Sequence, residues 1–185
     1  HPGLIQEMKD QSIPSAKFDI LKEKLTELMD EGHKVVVFSQ FTSMLDIIQK
    51  WTKERNYNIE RIDGTITGQA RMKAIDRFQN SEHPTIFLVS LKAGGVGINL
   101  TAADYVIHVD PWWNPAIEAQ ATDRVHRMGQ QNKVIVYKLI CEGTIEEKIQ
   151  TLQEEKKQLL TQIVDIDGAE AKSLNFDEIK SLVFD

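Results

Sequence analysis

The chain has 185 residues, 41% apolar and 27% charged, with a formal net charge of −6 at pH 7. That length buries one full core with room for a small appendage, and the composition is that of an ordinary globular protein. No apolar run approaches the ~18 residues that cross a bilayer, so a membrane-spanning helix is excluded. In chain order, Ser15 suits the N-cap of a helix whose apolar positions Phe18, Leu21, Leu25 and Leu28 recur at helical spacing, and Gly32 ends it. Val35 to Phe38 is a short continuous apolar run, the pattern of a strand buried on both faces. Met44, Ile47, Ile48 and Trp51 mark a second helix, with Thr42 as a candidate cap, and Ile59 to Ile62 a second strand. After the Asp63-Gly64 turn, Thr67 precedes a helix through Met72, Ile75 and Phe78. Thr85 to Val89 and Tyr105 to Val109 are the third and fourth strands. Pro115 opens a helix expected to reach Met128, and Val134 to Ile140 is the fifth strand.

Strands separated mostly by helices build an α/β fold, an open parallel sheet with helices on both faces, over residues 1–141. Residues 142–185 read as a helical appendage. Thr144 and Glu147 form a capping box for a long helix to about Val164, and Asn175 with Glu178 resembles the same device. From Glu142 to Asp185 there are eleven acids and five lysines, so residues 1–141 hold seventeen charges of each sign. The overall acidity therefore argues little against nucleic-acid binding by the sheet domain. The absence of any long basic block gives it no support either.

Ligands of open α/β sheets sit at the carboxyl ends of the strands, and four segments there stand out. Ser39-Gln40-Phe41-Thr42 is largely polar directly after an apolar strand; it reads equally as a loop with a helix cap. Ser90 to Thr101 holds three glycines within four residues, a backbone able to approach an anion closely. Ser90, Lys92, Asn99 and Thr101 flank it with phosphate- or sugar-capable side chains. It fits neither the dinucleotide nor the P-loop fingerprint. In Asp110-Pro111-Trp112-Trp113-Asn114-Pro115 one tryptophan is expected in the core and the other free to stack. Finally, Gln120, Arg124 and Arg127 lie at i, i+4 and i+7 beside a buried stripe of Ile117, Ala121, Val125 and Met128. Two arginines one turn apart can grip phosphate oxygens, although a solvated charged face is the commoner reason for such a pair. The five histidines show no metal spacing and Cys141 is the sole cysteine, so neither zinc nor an internal disulfide is expected.

Taken together, SQFT, DGTITGQAR, SLKAGGVGINLTAADYVIHVDPWWNP and QATDRVHRMGQ resemble the second RecA-like lobe of SWI/SNF-family, superfamily-two DNA-dependent ATPases. The opening His1-Pro2 and Ser15-Ala16-Lys17 are similar to the lead-in of that lobe, and the likeness covers about residues 1–165. It implies arginine-finger roles at the ATP γ-phosphate for Arg124 and Arg127, with Gln120 orienting them and Gly97 and Asn99 near the nucleotide. It implies DNA-backbone contacts for Ser39, Gln40, Ser90, Lys92 and Thr101, and a DNA-strand contact for Trp113. The partners implied are double-stranded DNA, an N-terminal RecA-like lobe that binds ATP with Mg²⁺, and DNA-bound proteins that the motor displaces. The site of action implied is the nucleus, or the cytoplasm and nucleoid of a prokaryote. Compact connections between the strands suit a minimal motor.

The P-loop and the metal-binding DExH motif of such motors belong to the other lobe. Asp30-Glu31-Gly32-His33 spells DExH but precedes a strand, and Asp177-Glu178 suits a helix first turn; both read as structural. The chain begins at His1 and is expected to be a piece of a longer protein, binding ATP poorly and hydrolysing none alone. The tail, through Leu152, Leu159, Leu160, Ile163 and Val164, is expected to brace the upstream lobe. An isolated, non-enzymatic binding module is the competing reading. A Rossmann-type enzyme is disfavoured, because Ser39-Gln40-Phe41 stands where its glycines belong.

Overall fold

The computed structural model describes residues 15–94, 99–125 and 134–166. Eleven elements follow in order among them: α1 (Ala16–Asp30), β1 (Lys34–Ser39), α2 (Thr42–Glu54), β2 (Asn58–Ile62), α3 (Gly68–Asn80), β3 (Thr85–Ser90), α4 (Leu91–Gly94), β4 (Tyr105–His108), α5 (Pro115–Asp123), β5 (Ile135–Lys138) and α6 (Ile145–Ile166). The five strands pair in the order β2-β3-β1-β4-β5, all parallel, which is the RecA-like sheet expected.

The apolar strand runs are explained by burial on both faces. Val35 and Val37 of β1, with Ile86, Leu88 and Ile107, pack under Leu21, Leu25 and Leu28 of α1 and Met44, Leu45 and Ile48 of α2. Val36 and Phe38, alternating with them, pack with Phe87, Val89 and Val106 against Ala74, Ile75 and Phe78 of α3 and Ala121 of α5. Each such side chain taken fully from water contributes about 1.5–3 kcal/mol, and these two layers hold the sheet in place.

Right-handed crossovers account for the layering. From β1 the chain leaves through α2 on one face; from β2, β3 and β4 it leaves towards the other. Since β3 and β4 flank β1, the chain diverges at the carboxyl end of β1, the kind of switch point at which open α/β sheets hold ligands.

Several local expectations need correction. Thr42 is the first residue of α2, not its cap; Phe41 holds the N-cap position with no side-chain hydrogen bond. The segment after Ser90 begins as a short helix, α4, which Ser90 Oγ starts by accepting from Ala93 N at 3.3 Å. Helix α5 ends at Asp123, with Arg124 as its C-cap, rather than continuing through the described chain to Val125. The capping box at α6 forms in a shifted register: Thr144 Oγ1 accepts from Glu146 N, and Glu147 Oε2 reaches back to Gly143 N at 2.9 Å. Gly143 takes φ +68° there, and Gly32 takes φ +89° at the end of α1 as expected, both positions a side chain would strain.

Candidate functional site

At the carboxyl edge, a buried carboxylate joins the loop after β1 to the loop after β4. Asp110, 6% exposed, accepts a hydrogen bond from Ser39 Oγ at 2.5 Å through Oδ2 and one from Gln40 N at 2.8 Å through Oδ1. Gln40 Nε2 donates to Pro111 O at 3.1 Å. The loop after β1 is thereby stapled to the loop after β4. Burial raises the Asp110 pKa above the ordinary carboxylate value, and the bonds from Ser39 and Gln40 pull it partly back. Lys17 reinforces the corner, its Nζ donating to Val109 O at 2.9 Å while pairing with Glu146 of α6.

The same edge carries the aromatic and cationic groups. Trp112 packs partly buried against the core while Trp113 is 53% exposed, the division expected of the pair. Phe41 is 47% exposed, Lys92 is exposed on α4, and Lys156 Nζ sits 5.6 Å from the centre of the Trp113 ring. Ser39 and Ser90 are different. Both are buried, Ser39 donating a hydrogen bond to Asp110 and Ser90 capping α4, so their hydroxyls hold the loops in shape.

A second grouping lies at the opposite edge. Gln79 of α3 clasps the segment ahead of β4: Nε2 donates to Asn99 O at 3.0 Å and Thr101 Oγ1 at 3.2 Å, and Oε1 accepts from Ala102 N at 2.8 Å. Gln79 O in turn accepts from Lys34 Nζ at 3.2 Å, at the start of β1. The six residues of β1 separate this edge from Ser39 by roughly 17 Å at ~3.3 Å per residue. Thr101 is therefore not among the residues that the carboxyl edge brings together with Gln40 and Trp113, because its hydroxyl is drawn into the Gln79 clasp. Leu100 N donates to Arg124 O at 3.1 Å, which brings exposed Asn99 and half-buried Arg124 to one place. Gln120 is exposed on α5 one turn before Arg124. Gly97 and Arg127 lie outside the described residues.

Between the two edges runs a polar network that sequence reasoning missed. Glu118 of α5, 2% exposed, accepts from Trp112 N at 3.2 Å and from Gln153 Nε2 at 3.0 Å through Oε2, while Oε1 pairs with Lys138 Nζ. Burial drives its carboxyl up, but the Lys138 and Gln153 bonds outweigh that and leave its pKa below the usual value. Beside it, His108 is 1% exposed, stacks on Phe38 and meets Thr122 Oγ1 at 3.0 Å through Nε2. Burial lowers its pKa from 6.5 to about 4, so it is neutral at physiological pH. The acids at the ends of otherwise apolar or short amphipathic segments, Asp110 and Glu118, were the available sequence signal. Their partners lie up to 71 residues away, beyond any local pattern. Among the described residues no group of three His, Cys, Asp or Glu is placed to hold a metal ion, and no helix is long and apolar enough to cross a membrane.

Residues 16–129 match the family described as the helicase conserved C-terminal domain. The chain is 46% identical over 159 residues to the chromodomain-helicase-DNA-binding protein 3 homolog of Caenorhabditis elegans, covering 85% of this chain and 9% of that protein. It is 44% identical over 170 residues to the ATP-dependent helicase rhp16 of Schizosaccharomyces pombe, covering 91% and 20%. This chain thus spans a fifth or less of the length of those relatives. Among solved structures, the Sulfolobus solfataricus SWI2/SNF2 ATPase core in complex with dsDNA is similar at a TM-score of 0.72 and 41% identity, covering 89% of this chain and 34% of that one.

Proposed function

Since this chain belongs to the helicase conserved C-terminal domain family, as a second RecA-like lobe of the SWI/SNF type, we propose that it is one half of an ATP-driven motor that moves along duplex DNA. One observation carries the reading. Helix α5 begins directly after Trp112-Trp113, with Asn114 as its N-cap and Pro115 in its first turn, and its C-cap is Arg124. Nine helical residues make a stiff rod of about 13 Å. A displacement imposed at the tryptophan loop is therefore delivered to Arg124.

In this reading Arg124 and Arg127 neutralise charge that builds on a transferring phosphoryl group, an effect worth roughly 10³–10⁵ in rate in comparable systems. Gln120 orients them. Asn99, held beside Arg124, faces the nucleotide, a role the family resemblance gives to Gly97 as well, and Thr101 steadies Asn99 through Gln79. The donor set of guanidinium and amide groups fits a phosphate. No described acidic cluster fits its Mg²⁺, whose ligands belong to an upstream RecA-like lobe. Bound on that lobe, ATP supplies the anhydride whose cleavage drives the cycle.

At the carboxyl edge Gln40, Lys92 and Trp113 rest on the DNA backbone, while Ser39 and Ser90 hold the loops that present them. Contacts of this kind position the protein without reading bases, so binding is sequence-tolerant and weakens steeply with salt. Alternating grip by two lobes converts closure into stepping and displaces DNA-bound proteins, in the nucleus or the nucleoid. The test is ATP hydrolysis with and without duplex DNA, for the intact motor and for this chain alone. Strong stimulation of the former and no turnover by the latter is expected. An intact motor indifferent to DNA, or turnover by the lone chain, contradicts the reading.

A further inference from the structure

We propose that α6 is a positioning element for the DNA contact of Trp113, acting through Gln153 and Lys156, and that this role is separate from any bracing of an upstream lobe. The inference rests on the reading of Trp113 as a DNA contact. Its basis is the peptide geometry on either side of Trp112. The Trp112 N–H is taken by Glu118 Oε2 at 3.2 Å, and the Trp112 carbonyl, part of the peptide leading into Trp113, is taken by Gln153 Nε2. Gln153 is 7% exposed and also donates to Glu118 Oε2 at 3.0 Å, so one amide group holds both the carbonyl and the carboxylate. Lys138 of β5 fixes the far oxygen of that carboxylate.

With both peptide planes of Trp112 held, the Cα of Trp113 has a fixed place, and its ring projects outward at 53% exposure. Three residues beyond Gln153 on the same face of α6, Lys156 brings its ammonium to 5.6 Å from that ring. The ring and the cation together suit a DNA strand, the ring pressing on sugar or base and the cation facing phosphate. Fixing the ring beforehand lowers the ordering cost at the moment of binding. None of the segments that resemble known motor motifs includes Gln153 or Lys156.

The experiment is a double-mutant cycle in the intact motor, reading the duplex concentration that half-saturates ATPase stimulation and, separately, kcat at saturating duplex. Gln153→Ala should raise the half-saturating concentration about 3- to 10-fold, the weight of one or two hydrogen bonds, and leave kcat within about twofold. In the Trp113→Ala background Gln153→Ala should add nothing, because its effect passes through that ring. Lys156→Met, which keeps the side-chain stem and spares the buried network, should give about a 2- to 5-fold rise with the same dependence on Trp113. Equal effects in both backgrounds, a fall in kcat with unchanged half-saturation, or no effect of either α6 substitution overturns the proposal while leaving the Trp113 contact standing. A silent Trp113→Ala overturns that contact and this inference together.

Discussion

Asp110 sets the geometry of the carboxyl edge, and its removal has a calculable cost. Truncation to alanine strands Gln40 N, now bonded at 2.8 Å, and leaves the buried Ser39 Oγ only its longer 3.3 Å bond to Phe41 O in place of the 2.5 Å one. A donor left without an acceptor costs about 1–3 kcal/mol and the weakened Ser39 bond about 1 kcal/mol more, so Asp110→Ala should lose about 2–4 kcal/mol. Asparagine keeps one carbonyl oxygen for Gln40 N, and the Ser39 hydroxyl can turn to accept from its amide. Asp110→Asn should therefore cost only about 1 kcal/mol. The pH dependence separates hydrogen bonding from charge. Burial raises the folded pKa of Asp110, so the wild type is favoured below the unfolded value and loses that advantage as pH rises through the folded value. The asparagine variant should accordingly gain on the wild type with rising pH. Urea unfolding of this chain at several pH values measures all three proteins. An alanine variant within about 0.5 kcal/mol of wild type, or an asparagine variant as damaged as the alanine one, refutes the account of this latch.

Three further outcomes are expected. His108 has a folded pKa near 4 against 6.5, so its stabilising contribution is complete above about pH 6.5 and lost as pH falls towards 4; the loss is on the order of 3 kcal/mol. His108→Phe should flatten that part of the stability profile, read by unfolding between pH 4 and 7. Trp112→Ala and Trp113→Ala should diverge: the first lowers stability by about 2–4 kcal/mol in denaturant unfolding, whereas the second leaves stability nearly unchanged and weakens duplex binding by about 1–3 kcal/mol in fluorescence anisotropy. Gln79→Leu releases Asn99, Thr101 and Ala102 together, and should lower ATP turnover in the intact motor by about tenfold with duplex affinity unaltered.

What could be read from the chain and what could not divide along physical lines. The fold was legible because its signals are local: Val35 to Phe38 and Ile86 to Val89 are apolar without alternation, the pattern of strands covered on both faces, and Ser15, Thr67 and Pro115 mark helix starts. The tryptophan pair was legible because two adjacent indoles cannot share one burial. Helix ends were less so. Thr42 has cap chemistry, yet the chain enters α2 one residue earlier, and α5 stops at Asp123 where Leu100 N reaches the Arg124 carbonyl. Thr101 shows the limit for a side chain's placement: its neighbours in sequence suggested the carboxyl edge, while its hydrogen bond to Gln79, 22 residues away, ties it to the segment ahead of β4. The pairings of Asp110 and Gln153 escaped notice for the same reason. Their partners are 71 and 41 residues distant, and no periodicity encodes such pairings.

On the proposed function, the arginines at and beyond the end of α5 serve a phosphoryl group held by another lobe. Single-turnover hydrolysis by the intact motor carrying Arg124→Ala or Arg127→Ala, with ATP affinity measured in parallel, addresses it most directly. The expected result is a loss of about 10³-fold or more in the hydrolysis rate constant, with affinity within about threefold of wild type. Undiminished hydrolysis in both variants would contradict the claim.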